Sequence, residues 1–153
     1  SGSDFLYYVD EGLYNGEGFY RAVRPDNDPL KMDMSLIQGG RMDLNSVTML
    51  LAHEPTSETG LSNTAGMVSV ARDAPGTGSA AFFFINTGNN TFLDHGGTRN
   101  PDGQGYAVFG QVVSGMDVVR AIQARETKGK TPIPGLGGQY LTEPVTIKKA
   151  YRQ

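Results

Sequence analysis

The chain has 153 residues and a net charge of −3, and it contains no cysteine. A chain of this length can bury a core without crosslinks. Basic residues do not outnumber acidic ones, which disfavours nucleic-acid binding because contacts with phosphates need a surplus of positive charge. The absence of cysteine excludes disulfides, thiolate catalysis and sulfur-ligated zinc. We therefore expect one globular domain over residues 1–153, with no membrane span.

The predicted elements are mostly short strands. A first helix is expected to end near Gly12, because Phe5, Leu6 and Val9 form an apolar stripe at helical spacing. Six strands follow by pattern: Gly18–Arg24, Met34–Gln38 (closed by Gly39-Gly40), Met67–Arg72, Ala81–Asn86, Ala107–Val113 and Val145–Tyr151. A second helix is predicted over Gly115–Arg125. No alternation of strands and helices occurs, so a mostly antiparallel sheet closed into a barrel, with helices at its ends, is expected.

Two local motifs suggest cofactor or metal chemistry and are rejected. Gly129-Lys130-Thr131 resembles the end of a phosphate loop, but Ala124 stands where its first glycine would be, and the segment follows a helix. His53 and His95 are the only histidines, and a metal site needs more ligands at fixed spacing. We therefore expect neither a metal nor a cofactor.

An ordered series of segments carries the informative signal. The segments are FYR (19–21), LIQGG (36–40), GMVSVAR (66–72), SAAFFFIN (79–86), FLD (92–94), VFGQVV (108–113) and GMDVV (115–119). Each one alone is weak, but the order is similar to that of the cyclophilin family, and the resemblance runs from about Phe5 to about Ile122. It implies an eight-stranded antiparallel barrel capped by two helices, a proline groove on the outside of the barrel, and peptidyl-prolyl cis–trans isomerase activity.

The resemblance also implies roles for individual residues. Arg21 matches the catalytic arginine, and Gln38 matches the glutamine that hydrogen-bonds the substrate backbone. Further substrate-binding positions are implied at Leu36, Ala71, Arg72, Phe82, Phe84, Phe92, Leu93 and Tyr106. If Phe84 faces the groove, strand alternation places Phe83 and Ile85 in the core, which explains a run that is apolar on both faces.

Several positions depart from the family pattern. Ser35 stands where a phenylalanine usually walls the proline pocket, and Phe82 replaces a glutamine. Phe92 replaces a tryptophan found in many eukaryotic members, so weak cyclosporin binding is expected. Tyr106 replaces a histidine, as in bacterial members.

The interval between Arg21 and Gln38 is longer than usual for the family. The extra segment, roughly Arg24–Asp33, resembles a bacterial subgroup and is expected to bulge near the groove. Met34 or Met32 is then available to fill the space left by the missing phenylalanine.

The first helix begins almost at once, so we expect this sequence to lack the first hairpin of the family. A signal peptide would have preceded that region, and a periplasmic or secreted location is expected over a cytoplasmic one. Three functions stay open from the residues: an isomerase acting on proline-containing peptides and on unfolded or partly folded proteins, a proline-peptide binding module with little turnover, and a purely structural barrel.

Overall fold

A computed structural model describes residues 2–43, 51–72, 77–133 and 135–153. In that part of the chain the elements are α1 (Gly2–Asp10), β1 (Gly18–Val23), a 3-10 turn (Pro25–Asn27), β2 (Leu36–Gly40), α2 (Thr56–Thr59), β3 (Met67–Val70), β4 (Phe82–Asn86), a second 3-10 turn (Thr91–Leu93), β5 (Val108–Gln111), α3 (Met116–Gln123) and β6 (Tyr140–Thr146). No helix within these ranges is long and apolar enough to cross a bilayer.

The six described strands form one sheet in the order β5-β3-β4-β2-β1-β6, and every neighbouring pair is antiparallel. The predicted mainly β, antiparallel architecture is confirmed. Within the described ranges the sheet is not closed, because β5 and β6 lie at its two ends without pairing with each other.

The alternation predicted for β4 is confirmed by three apolar clusters. Phe83 packs among Tyr8, Tyr14 and other residues on one side, and Ile85 packs against α3 in a second cluster. Phe84, which points the opposite way, joins a third cluster. The strand therefore separates the core from the face on which the groove lies.

Two predicted strands are displaced along the chain, for different reasons. The last strand was expected over Val145–Tyr151 but spans Tyr140–Thr146 and includes Pro144. Proline is tolerated there because β6 lies at the end of the sheet. The second strand was expected over Met34–Gln38 but spans Leu36–Gly40 and contains both glycines.

The two glycines of β2 are required inside the strand by close neighbours. A Cβ on Gly39 would lie 2.6 Å from the Phe19 ring. Gly40 has a φ of +119°, and a Cβ there would lie 2.1 Å from the Ala81 carbonyl oxygen. A larger residue at either position would push β2 away from its neighbours.

Candidate active site

A groove on the outer face of the sheet encloses about 720 Å³. It is lined by Tyr20, Arg21, Leu30, Met34, Leu36, Gln38, Ala71, Arg72, Thr77, Phe82, Phe84, Leu93, Arg99, Asn100, Tyr106, Ile133 and Leu136. The structure thus brings Arg21 and all but one of the predicted binding residues to one cavity. The exception is Phe92, which packs partly buried against the neighbouring apolar cluster and is not among the lining residues.

One part of the groove wall is a buried apolar cluster. It consists of Val23, Met34, Leu36, Phe84 and Leu93. The ring of Tyr106 meets that of Phe84 edge-on, with 5.5 Å between the ring centroids. Such a surface suits a proline ring, because an apolar ring gains free energy when it leaves water.

Met34 supplies the apolar side chain that is missing from the groove wall at Ser35. Its side chain is buried in the apolar cluster and lines the groove. Ser35 is instead held by Asn90, whose Oδ1 accepts from the Ser35 N–H at 3.1 Å and whose Nδ2 donates to the Ser35 carbonyl at 2.8 Å. The apolar wall is therefore rebuilt from the residue before Ser35.

A bulge in β1 explains why two consecutive residues face the groove. The pairing of β1 with both neighbours shifts between Phe19 and Arg21. In a regular strand Tyr20 and Arg21 would face opposite sides, but the bulge allows both to line the cavity.

Two glutamines hold the Arg21 guanidinium. The Oε1 of Gln38 accepts from Nη1 at 2.7 Å. The Oε1 of Gln139 accepts from Nε at 3.0 Å and from Nη2 at 2.7 Å. Gln38 is itself oriented by Tyr20, since its Nε2 donates to the phenolic oxygen at 3.1 Å. Neutral acceptors thus hold all three nitrogens of the guanidinium.

Aromatic side chains and the cation of Arg99 affect the charge of Arg21. Burial lowers the pKa of the Arg21 guanidinium, and Arg99 adds to this effect, while Tyr140, Tyr20 and Tyr106 act in the opposite direction. An arginine stays protonated under such conditions, because its ordinary pKa is above 12. The site therefore presents a permanent, partly desolvated positive charge.

Arg72 builds the wall of the groove through protein contacts. Its side chain is almost fully buried, its Nε donates to the Gly105 carbonyl at 3.0 Å, and its Nη1 lies 3.2 Å from the Asp102 carboxylate. The guanidinium also stacks over the Tyr106 ring at 4.8 Å from its centroid. Arg72 thus fixes the ring that closes the apolar cluster.

The inserted segment between β1 and β2 is anchored by a buried ion pair. The Nη1 of Arg99 donates to Asp28 Oδ1 at 2.9 Å and to Oδ2 at 3.0 Å. The same carboxylate accepts from the backbone N–H groups of Leu30, Met32 and Met34 at 3.2, 2.9 and 3.3 Å. The predicted bulge near the groove is therefore an ordered loop whose end supplies Met34.

Sequence reasoning missed several residues of the site. Gln139 contacts Arg21, and Tyr20 contacts Gln38. Leu30, Ile133 and Leu136 line the cavity as well. Gln139 lies 118 positions from Arg21, and no local pattern marks it. The sequence analysis gave no other signal for it either, because the last strand was expected to begin only at Val145.

The comparisons with known proteins agree with this geometry. The family model described as cyclophilin type peptidyl-prolyl cis-trans isomerase/CLD matches residues 2–152. A peptidyl-prolyl cis-trans isomerase of Streptomyces antibioticus is 34% identical over 152 residues, covering 96% of this chain and 81% of the relative. Peptidyl-prolyl cis-trans isomerase A of Dickeya dadantii is 32% identical over 149 residues, covering 96% and 70%.

Solved structures give the same fold. A cyclophilin-type isomerase of Cryptosporidium parvum superimposes with a TM-score of 0.70 at 17% identity, covering 96% of this chain and 79% of its own. A structure of the same protein in the presence of the dipeptide Ala-Pro has a TM-score of 0.63 at 19% identity, covering 95% and 83%. The family match over nearly the whole chain shows that this protein belongs to the cyclophilin-type peptidyl-prolyl cis–trans isomerases.

Proposed function

We propose that the groove binds an extended peptide with its proline ring against Met34, Leu36, Phe84 and Leu93, and that Arg21 catalyses rotation about the preceding peptide bond. The observation that carries this proposal is the position of Arg21, which lines the same cavity as the apolar cluster. The family supplies the reaction, cis–trans isomerisation of X-Pro bonds. The geometry supports the assignment of roles.

The chemistry requires only a small, selective stabilisation. An X-Pro bond rotates slowly because amide resonance imposes a barrier of about 18–20 kcal/mol. A cation that donates to the prolyl nitrogen as it pyramidalises weakens this resonance. Uncatalysed exchange takes roughly tens of seconds, so a turnover of about 10–1000 per second needs about 3–6 kcal/mol. A preorganised guanidinium in a desolvated groove is able to supply that amount.

Gln38 is assigned to the substrate backbone. Its Oε1 is taken by Arg21, and one of its two amide N–H groups is directed to Tyr20. The second N–H is available to a peptide carbonyl. Gln38 would therefore link the orientation of Arg21 to the register of the bound peptide.

A proline-binding module with little turnover is the alternative, and one of its grounds is the altered pocket wall at Ser35. Met34 supplies an apolar wall in its place. Arg21 also keeps N–H groups for which the described residues offer no acceptor. Both observations favour the enzyme.

The natural substrates are proposed to be exposed prolines in unfolded or partly folded proteins, because the groove is open to an extended chain. Weak cyclosporin binding is proposed, since Phe92 lies outside the lining of the groove. A periplasmic or secreted location stays a prediction, to be tested by cell fractionation.

The test is cis–trans exchange of an Ala-Pro peptide measured by NMR. Wild-type protein should accelerate the exchange, and Arg21→Ala should lose most of the acceleration while retaining peptide binding. Arg120→Ala removes an exposed arginine of α3 outside the groove and serves as the matched control. Peptide binding without accelerated exchange in the wild type would overturn the catalytic proposal.

A further inference from the structure

Gln139 accepts from Nε and Nη2 of the Arg21 guanidinium, whereas Gln38 accepts from Nη1. Gln139 lies directly before β6, where Tyr140 pairs with Arg21 across the strands. Its single oxygen accepts from both Nε and Nη2 of Arg21, at 3.0 and 2.7 Å. We propose that Gln139 is a positioning residue that sets the orientation of the catalytic arginine, an inference that rests on the role proposed above for Arg21.

The geometry of the guanidinium explains why the single Oε1 of Gln139 is enough to orient it. Nε and Nη2 lie on the same edge of a rigid plane, so an acceptor between them fixes the rotation of that plane. With Gln38 on Nη1, three of the five N–H groups are taken. One N–H on each terminal nitrogen is left for the substrate, since no acceptor for it occurs in the described part of the chain. The two glutamines thus select which donors face the groove.

Gln139 is itself immobilised by its surroundings. It is 1% exposed, and its Nε2 donates to the Asn27 carbonyl at 3.1 Å. Its backbone carbonyl accepts from the Ala22 N–H at 2.8 Å. Reversing the side-chain amide would direct an NH₂ group at the guanidinium and an oxygen at a carbonyl oxygen, so the contacts permit one orientation only. Arg21 is therefore tied to the inserted loop through Gln139.

The acceptor is neutral, which matters for the charge of the site. A carboxylate at this position would pair with the guanidinium and reduce the charge available to the substrate. A glutamine fixes the geometry and leaves the charge uncompensated. This arrangement suits a cation that must stabilise a developing lone pair on the prolyl nitrogen.

The first test uses the wild-type protein in solution. The NMR signal of the Arg21 Nε–H is assigned by its loss in Arg21→Ala. This proton should exchange slowly with water, because it is held in a hydrogen bond to Gln139 Oε1. The Nε–H of the exposed Arg120 provides the reference for an unprotected arginine. An Arg21 Nε–H that exchanges as fast as that of Arg120 would overturn the inference, whatever the variants do.

The second test separates positioning from stability. Gln139→Met keeps the length of the side chain but removes the acceptor. It should lower the NMR-measured exchange rate of a saturating Ala-Pro peptide by about 10- to 100-fold, with the peptide Kd changed by less than about threefold. Gln123→Met is the matched control, because Gln123, like Gln139, donates its amide to a backbone carbonyl, that of Val23 at 2.9 Å, but does not contact Arg21. It should leave the exchange rate near that of the wild type.

The outcomes distinguish this inference from the proposed function. Wild-type exchange in Gln139→Met, or equal losses in both Gln→Met variants, would overturn the positioning role. Failure of Arg21→Ala to lower the exchange rate would instead overturn the role of Arg21. If Gln139→Met does not fold, Gln139→Glu takes its place, because a glutamate retains the acceptor. In Gln139→Glu the Arg21 Nε–H should stay protected from exchange with water, while the cis–trans exchange of the peptide should slow down. Peptide exchange at the wild-type rate in this variant would contradict the argument from charge.

Discussion

Replacing Asp28 with asparagine tests whether the inserted loop is held by its buried ion pair. The Asp28 side chain is fully buried, the Arg99 side chain is 11% exposed, and their atoms meet at 2.9 and 3.0 Å. Removing one partner of such a pair leaves the other charge buried, which costs about 3–5 kcal/mol. For a chain of this size the melting temperature should then fall by about 6–20 °C.

The assay is urea unfolding followed by circular dichroism, with Asp117→Asn on the exposed face of α3 as the control. A second variant, Asp28→Asn combined with Arg99→Met, should recover part of the lost stability because no unpaired charge is left. A loss below about 1 kcal/mol in Asp28→Asn would refute the reasoning, since that is the range of solvent-exposed pairs.

The same carboxylate predicts a dependence on pH. Burial raises the pKa of Asp28, but hydrogen bonds from the Met32 N–H and from Arg99 outweigh it, and the net pKa is lowered. A lowered folded-state pKa gives stability that is fully present above the unfolded value of about 3.9 and is lost as the pH falls towards the folded value. Asp28→Asn should therefore reduce the slope of stability against pH in this acid range.

Two further substitutions test the groove and the sheet. Met34→Ala should weaken Ala-Pro peptide binding by roughly tenfold in an NMR titration, because about 1–2 kcal/mol of apolar contact is lost; Met34→Leu should bind nearly as well as the wild type, and equal affinity of all three would contradict the assigned wall. Gly40→Ala should destabilise the fold by more than about 2 kcal/mol in urea, because its Cβ would meet the Ala81 carbonyl at 2.1 Å. Gly137→Ala, where a Cβ meets nothing within 4 Å, is the control that should change little.

Local alternation together with the family resemblance was enough to predict the faces of β4. A strand has a period of two, so the run from Phe82 to Ile85 fixes which side chains share a face once one of them is placed. The family resemblance placed Phe84, and the three clusters follow. The order of the motifs likewise predicted which residues meet in the groove, apart from Phe92.

Features that depend on pairing between distant strands could not be predicted from local pattern. Pro144 interrupts the hydrogen-bonding pattern expected of a strand, and only the position of β6 at the end of the sheet makes it acceptable. The contact of Gln139 with Arg21 follows from the same pairing, because Tyr140 stands opposite Arg21. Neither fact is encoded within a window of a few residues.

The inserted loop joins both halves of the site. Its Asn27 carbonyl accepts from Gln139, which holds Arg21, and its Asp28 carboxylate accepts from the Met34 N–H at the edge of the apolar wall. A longer loop costs little additional closure entropy, but a partly buried one must satisfy its own backbone donors, and Asp28 accepts from three of them. The insertion and the missing phenylalanine are therefore linked: the loop that lengthens the interval before Gln38 also delivers Met34 to the wall and supports the arginine from behind.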